Sequence, residues 1–214
     1  MSRLEETAER IHTAFETRTA ARDRALTQAR TLTRHCANAI RAIHREESPL
    51  VSQNLLEASR LAQELRCELA DYPDLYYAGY TQDALKEYAE ANLVNALVNN
   101  KPLPGPEDLD LEPSTYLQGL AEAVGELRRR CLDVLLNGHS TEAVRLLEEM
   151  DDIYAILVTM DYPDAITGGL RRLTDVARSI IERTRGDLTL SLRQERLEAT
   201  LRELETRLNH TDQP

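Results

Sequence analysis

Residues 25–46 read ALTQARTLTRHCANAIRAIHRE, and their periodicity decides the fold class. Ala25, Leu32, Cys36, Ala39, Ile40 and Ile43 recur at helical spacing, which gathers them on one stripe of an α-helix. The stretch belongs to a run, residues 3–46, without Gly or Pro, so nothing stops the helix before Pro49. Outward from this long first helix the same period continues. It predicts helices over roughly 50–70, 75–98, 114–136, 141–160, 163–184 and 188–209. The stops between them are chemical. Ser48-Pro49 places Pro in a first helical turn, Asp71-Tyr72-Pro73 closes the second helix, and Asn137-Gly138 is a left-handed C-cap. Pro163 and Arg185-Gly186 mark the last two breaks. Lys101 to Pro106 carries three prolines and cannot be helical, so residues 99–112 read as a helix–helix loop. With no convincing strand and no repeat of fixed period, the expectation is an all-α, single-domain bundle of seven helices spanning 1–214.

Composition narrows the function classes. No apolar stretch approaches the roughly 20 residues of a membrane helix, and the polar, charged N-terminus predicts no signal peptide. Eight Gly, eight Pro and nine aromatic residues in 214 are too few for a β-sandwich. The 37 acidic and 26 basic side chains leave a net charge of −11, which argues against a simple polybasic nucleic-acid binder but leaves room for a local arginine patch. Only Lys86 and Lys101 are lysine; the other 24 basic residues are arginine. Three cysteines without a CxxC pair exclude a zinc ribbon or thioredoxin motif, and their sparse, odd number predicts a reducing, cytoplasmic setting. P-loop, GxGxxG, HExxH and GxSxG signatures are all missing.

Two carboxylate pairs carry the sharper chemistry. Glu87 and Glu90 are i,i+3 on one helix; Glu122 and Glu126 are i,i+4 on another, among Leu117, Leu120, Ala121, Val124 and Leu127. If the two helices face each other, four carboxylates form a nest that needs divalent cations to be tolerable, and hard oxygen donors select Mg²⁺ or Mn²⁺. The same spacing also describes a solvated acidic face. Arg30, Arg34, Arg41 and Arg45 fall within about 60° of one another around the first helix. Such a stripe grips phosphates without reading sequence, or is a solvated face with i,i+4 partners. His44 stands beside it. Tyr72, Tyr76, Tyr77 and Tyr80 either stack bases or line a helix junction. Leu197, Leu201, Leu204 and Leu208 form a 4-3-4 seam, packed within the monomer or across a subunit contact.

These pieces, in this order, resemble the translin family, nearer to TRAX (translin-associated factor X) than to translin. Ala29-Arg30 and His44-Arg45 resemble the end of the family's long first helix. LKEYAEA, Leu85 to Ala91, resembles its Gln-Glu-Tyr-Val-Glu-Ala segment. YLQGLAEAVGELRRRC, Tyr116 to Cys131, resembles its Tyr-Leu-x-Gly-x-x-Asp-x-x-Gly-Glu-Leu-x-Arg segment, and TRGDL, Thr184 to Leu188, its late Arg-Gly. The resemblance implies a translin-type fold and a Mg²⁺- or Mn²⁺-dependent endoribonuclease acting on single-stranded RNA. Its catalytic and metal-binding carboxylates would be Glu87, Glu90, Glu122 and Glu126. The arginine stripe read from spacing, Arg30, Arg34, Arg41 and Arg45 with His44 beside it, supplies the candidate contacts to that RNA. It further implies a homo-oligomer, octamer-like and closed, as in the archaeal relatives that need no separate translin subunit. One departure is Glu122, where the family enzyme has Asp; the side chain is a methylene longer with the same charge and ligand atoms. The alternative the family offers is translin itself, a shell that binds single-stranded RNA or DNA without cutting it.

Overall fold

The computed structural model describes residues 2–138 and 140–211, with side chains to Leu208. Met1 and residues 212–214, the ends of the expected 1–214 domain, lie outside the described residues. The described chain is all-α: α1 (Arg3–His44), α2 (Ser48–Glu68), α3 (Pro73–Tyr76), α4 (Gly79–Val98), α5 (Pro106–Leu109), α6 (Pro113–Leu136), α7 (Ser140–Leu157), α8 (Asp164–Thr167) and α9 (Leu170–Thr211). Six are long; α3, α5 and α8 are single turns. α1 packs against α2 and α4, α4 against α6, and α6 against α7 and α9. α4 therefore sits in the middle. Thr81, Leu85, Tyr88, Ala89, Ala91, Leu93 and Val94 are all buried, so it has hardly any solvent face. No helix among the described residues is long and apolar enough to cross a membrane.

The structure redraws three of the expected helices, and the expected 99–112 loop holds one helical turn, α5, begun by Pro106 at a first-turn position. The helix expected over 75–98 breaks at Ala78, whose extended backbone (φ −66°, ψ 144°) separates α3 from α4. The carbonyls freed by that break are taken by side chains one turn into α4: the Thr81 hydroxyl donates to Leu75 O at 2.8 Å and the Gln82 amide to Tyr76 O at 2.8 Å. The two final helices are one. Gly186 lies inside α9, and the chain instead turns at Gly168 and Gly169, both at positive φ (60° and 84°). A helical Gly costs about 1 kcal/mol relative to Ala, but here the turn is clamped from outside. Arg128 donates to the Thr184 hydroxyl at 2.9 Å and to the Asp187 carboxylate at 2.8 Å, one on each side of Gly186. Leu188 is buried beyond it.

Both long helices run past the bundle. Leu4, Ile11 and Phe15 on α1, and Leu197, Leu201, Leu204 and Leu208 on α9, are exposed, so the C-terminal seam does not pack within the chain. Cys36 and Cys131 are buried, whereas Cys67 is exposed. The tyrosines fall mostly into the junction: Tyr72, Tyr76 and Tyr80 pack against the core, while Tyr77 is exposed and donates to Glu112 at 3.2 Å.

Candidate active site

The site is built by how closely α6 approaches α4. Gly119 lies directly on the α4 backbone. A Cβ there would stand 2.7 Å from the Ala89 Cβ, 2.9 Å from Lys86 O and 3.0 Å from Glu90 N, so the two helices could not keep this approach with a side chain at 119. Glu122 follows Gly119 by three residues, about one turn along the same helix, so this approach carries it over α4. There the carboxylate oxygens of Glu87, Glu90 and Glu122 come within 4.8 Å of one another. Glu126 does not join that triad.

The triad is electrostatically strained. Glu90 is only 8% exposed, and its carboxyl is pushed up to about 8, first by burial and then by the charges of Glu87, Glu122 and Glu126. Burial also raises Glu87. One cation answers them: Lys86, its side chain 16% exposed, donates from Nζ to Glu122 Oε1 at 2.8 Å. Burial pulls the Lys86 ammonium down, and the Glu122 bond and neighbouring carboxylates more than reverse this. α1 forms the adjoining wall, since the Cys36 thiol is pushed up by burial and, after that, by Glu87 and Glu90.

Glu126 belongs to a second arrangement. The His44 side chain, 4% exposed, donates from Nε2 to Glu126 Oε2 at 2.6 Å; an ionised carboxylate can only accept. That bond holds the Glu126 carboxyl below its usual range, and Arg129 adds to it from 3.7 Å. His44 Nδ1 is buried without a hydrogen-bond partner, its nearest carboxylate being Asp133 at 3.7 Å. His44 is thus not part of the exposed arginine face. Its position lies about 40° beyond the edge of the stripe. Arg30, Arg34, Arg41 and Arg45 are all exposed and form no ion pair among the described residues. Arg41 donates to Asn38. The i,i+4 acidic partners of an ordinary solvated face are therefore missing along the stripe.

The donor set fits a hard divalent cation: three carboxylates converge, one is buried, and Lys86 supplies a single counter-charge. Spacing alone missed Lys86 and Gly119. The available signals were one of only two lysines standing next to Glu87, and a glycine inside a helix one turn before Glu122.

No family model matches the chain. It is 30% identical over 190 residues to the uncharacterized protein MJ0175 of Methanocaldococcus jannaschii, covering 88% of this chain and 84% of that one. Among solved structures it is similar to AfC3PO in complex with duplex RNA (34% identity, TM-score 0.79, 89% of this chain and 96% of that one). It is similar also to AfC3PO alone (33%, 0.79, 89% and 97%). Apo-NeC3PO shares the fold at 20% identity and a TM-score of 0.77, over 89% of this chain and 98% of that one. With this fold and its carboxylate-bearing α4–α6 contact, the chain belongs to the translin/C3PO family.

Proposed function

We propose that this protein binds RNA and cleaves single-stranded RNA with Mg²⁺ or Mn²⁺. The observation that carries the reading is the convergence of Glu87, Glu90 and Glu122 on one point, beside a buried wall, in a chain 34% identical to a protein solved with RNA. These three carboxylates are the residues to hold the cation. Bound there, a divalent cation supplies charge neutralisation at a phosphoryl oxygen and acidifies water. Glu126, kept ionised and oriented by His44, is the residue to accept a proton from the attacking water. Lys86 neutralises Glu122 and presents an ammonium to a phosphate oxygen. Arg30, Arg34, Arg41 and Arg45 grip flanking phosphates. The exposed leucines of α9 and the apolar residues of the projecting α1 supply subunit contacts for a homo-oligomer, octamer-like in the manner of the family. The rival is a shell that binds RNA or DNA without cutting; the Lys86–Glu122 bond, which settles part of the acidic charge without metal, speaks for it.

Two measurements test this reading. A ligand that binds only the folded state raises its melting midpoint. Millimolar Mn²⁺ is therefore expected to raise the midpoint of the wild type and not that of a Glu87→Gln, Glu90→Gln double variant. An equal shift in both would remove the cation from this site. Neutralising Arg34 and Arg41 together is expected to weaken binding of a labelled single-stranded RNA. It is also expected to flatten the slope of log K against log salt by about 1.4, from ~0.7 per phosphate contact. An unchanged slope would place the RNA elsewhere. A duplex probe run in parallel decides which strand state this chain prefers.

A further inference from the structure

Beside the triad, a groove of about 420 Å³ opens between α6 and the first part of α9, lined by Glu90, Ala121, Glu122, Arg172, Leu173, Val176 and Ile180. The α9 residues arise from its pattern. Leu170, Thr174, Ala177, Ile181, Thr184 and Leu188 take the 4-3-4 core face. Leu173, Val176 and Ile180 run parallel to it, roughly 60–120° around the helix, as a second apolar ridge. Leu173 and Ile180 lean on the core, but Val176 is 48% exposed, and no described helix covers it. Arg172, at the head of the ridge, is exposed and forms no ion pair or side-chain hydrogen bond among the described residues. Half of the 24 arginines pair with a described carboxylate; this one does not, although Glu90 and Glu122 line the same groove.

On the reading that the triad is the cleavage site, we propose that this groove is its nucleotide subsite. Leu173, Val176 and Ile180 take the face of one nucleobase beside the scissile linkage, and Arg172 takes the adjoining phosphate. The occupant follows from the lining. A largely apolar concavity with a few placed polar groups is the usual form of a small-ligand site, and its size lies in that range. Its acidic floor repels a phosphodiester unless a cation stands nearby, and Arg172 is the free guanidinium on its rim. An RNA nucleotide joins these two requirements in one group, since it carries an apolar base face and an anion one ribose apart. The groove is also continuous with the triad, so a strand whose phosphate reaches Glu90 and Glu122 can lay the neighbouring base along α9.

The test uses the full-length protein, a fluorescein-labelled uridine 12-mer, and a 12-mer of the same sugar-phosphate backbone without bases. Wild type is expected to bind the uridine RNA more tightly than the abasic strand. Val176→Asp is expected to weaken the uridine RNA about tenfold and to abolish the preference for bases. Arg172→Gln is expected to weaken both strands alike. Both variants should keep the wild-type oligomer size and Mn²⁺ midpoint shift. Wild-type affinity in both variants would overturn the subsite, as would an unchanged base preference in Val176→Asp or a change of oligomer size with that substitution. Cleavage assays separate this from the parent reading. If the wild type does not cut RNA but the binding pattern holds, the subsite stands and the enzymatic reading falls. If it cuts and the variants bind normally, the reverse follows.

Discussion

Replacing Glu90 by Gln is expected to reduce metal-dependent RNA cleavage by ~1000-fold or more, because a lost cation ligand removes several kcal/mol of transition-state stabilisation. RNA binding should persist, since the arginine stripe is on another surface of α1. The substitution has a second, opposite signature in the metal-free protein. The folded Glu90 carboxyl titrates at about 8, far above an unfolded glutamate. The folded state therefore holds a proton that the unfolded state has already released. Its contribution to stability is present in full below the unfolded value and is lost as pH rises through about 8. Glu87, Glu122 and Glu126 oppose ionisation there, and Lys86 relieves them in part. Gln carries no charge to expel. In EDTA, Glu90→Gln should thus melt close to wild type at pH 5 and clearly above it at pH 9. A wild-type melting difference between these pH values that the variant reproduces would show that Glu90 is not the strained group. A variant that is inactive yet more stable in alkali is the pattern of a functional acid held at a cost to the fold.

The second large effect is expected at Gly119. Substituting Val forces a branched side chain between α6 and the α4 backbone, where a Cβ alone would already overlap Ala89, Lys86 and Glu90. Overpacking of this kind costs about 1–3 kcal/mol, or roughly 2–12 °C of melting midpoint for a chain of this size. The consequence for function is larger than for stability. The helices must separate, and the separation moves Glu122 away from Glu87 and Glu90, so the Mn²⁺ midpoint shift and cleavage should both be lost. Gly125 is the control. A Cβ there meets nothing within 4 Å, so Gly125→Ala should gain about 0.5–1 kcal/mol from helix propensity and keep the Mn²⁺ response. Gly119→Val protein that still shows the full shift would mean the close helix contact does not assemble the triad.

How much of this was legible in the sequence follows from how local each signal is. Helical periodicity, proline stops and i,i+3 or i,i+4 carboxylate pairs are encoded within one or two turns. They gave the all-α architecture, the long first helix and four candidate carboxylates. What spacing cannot encode is where neighbouring helices meet. The four acids read as one set. In the structure α6 turns Glu122 towards α4, while His44 of α1, 82 residues from Glu126 in the chain, draws Glu126 into a separate pair. His44 reads as a neighbour of the arginine stripe because it precedes Arg45, yet an offset of about 40° is enough to bury it. Gly186 reads as a stop because Gly is a poor helix former. The Arg128 bridge that spans it comes from 56 residues away and has no local signature. The Leu173–Val176–Ile180 ridge was invisible for the same reason: only the packing of α9 on α6 shows that this apolar face also borders the acids.

The most direct measurement is a cleavage assay of a 5′-labelled single-stranded RNA by wild type and Glu90→Gln, with Mg²⁺, with Mn²⁺ and with EDTA, alongside a binding measurement on the same samples. The account predicts internal cleavage by wild type in at least one of the metal lanes and none in EDTA. It predicts no cleavage by the variant in any lane, with RNA bound by both proteins. Binding without cleavage in every wild-type lane, or equal cleavage by wild type and Glu90→Gln, would contradict it.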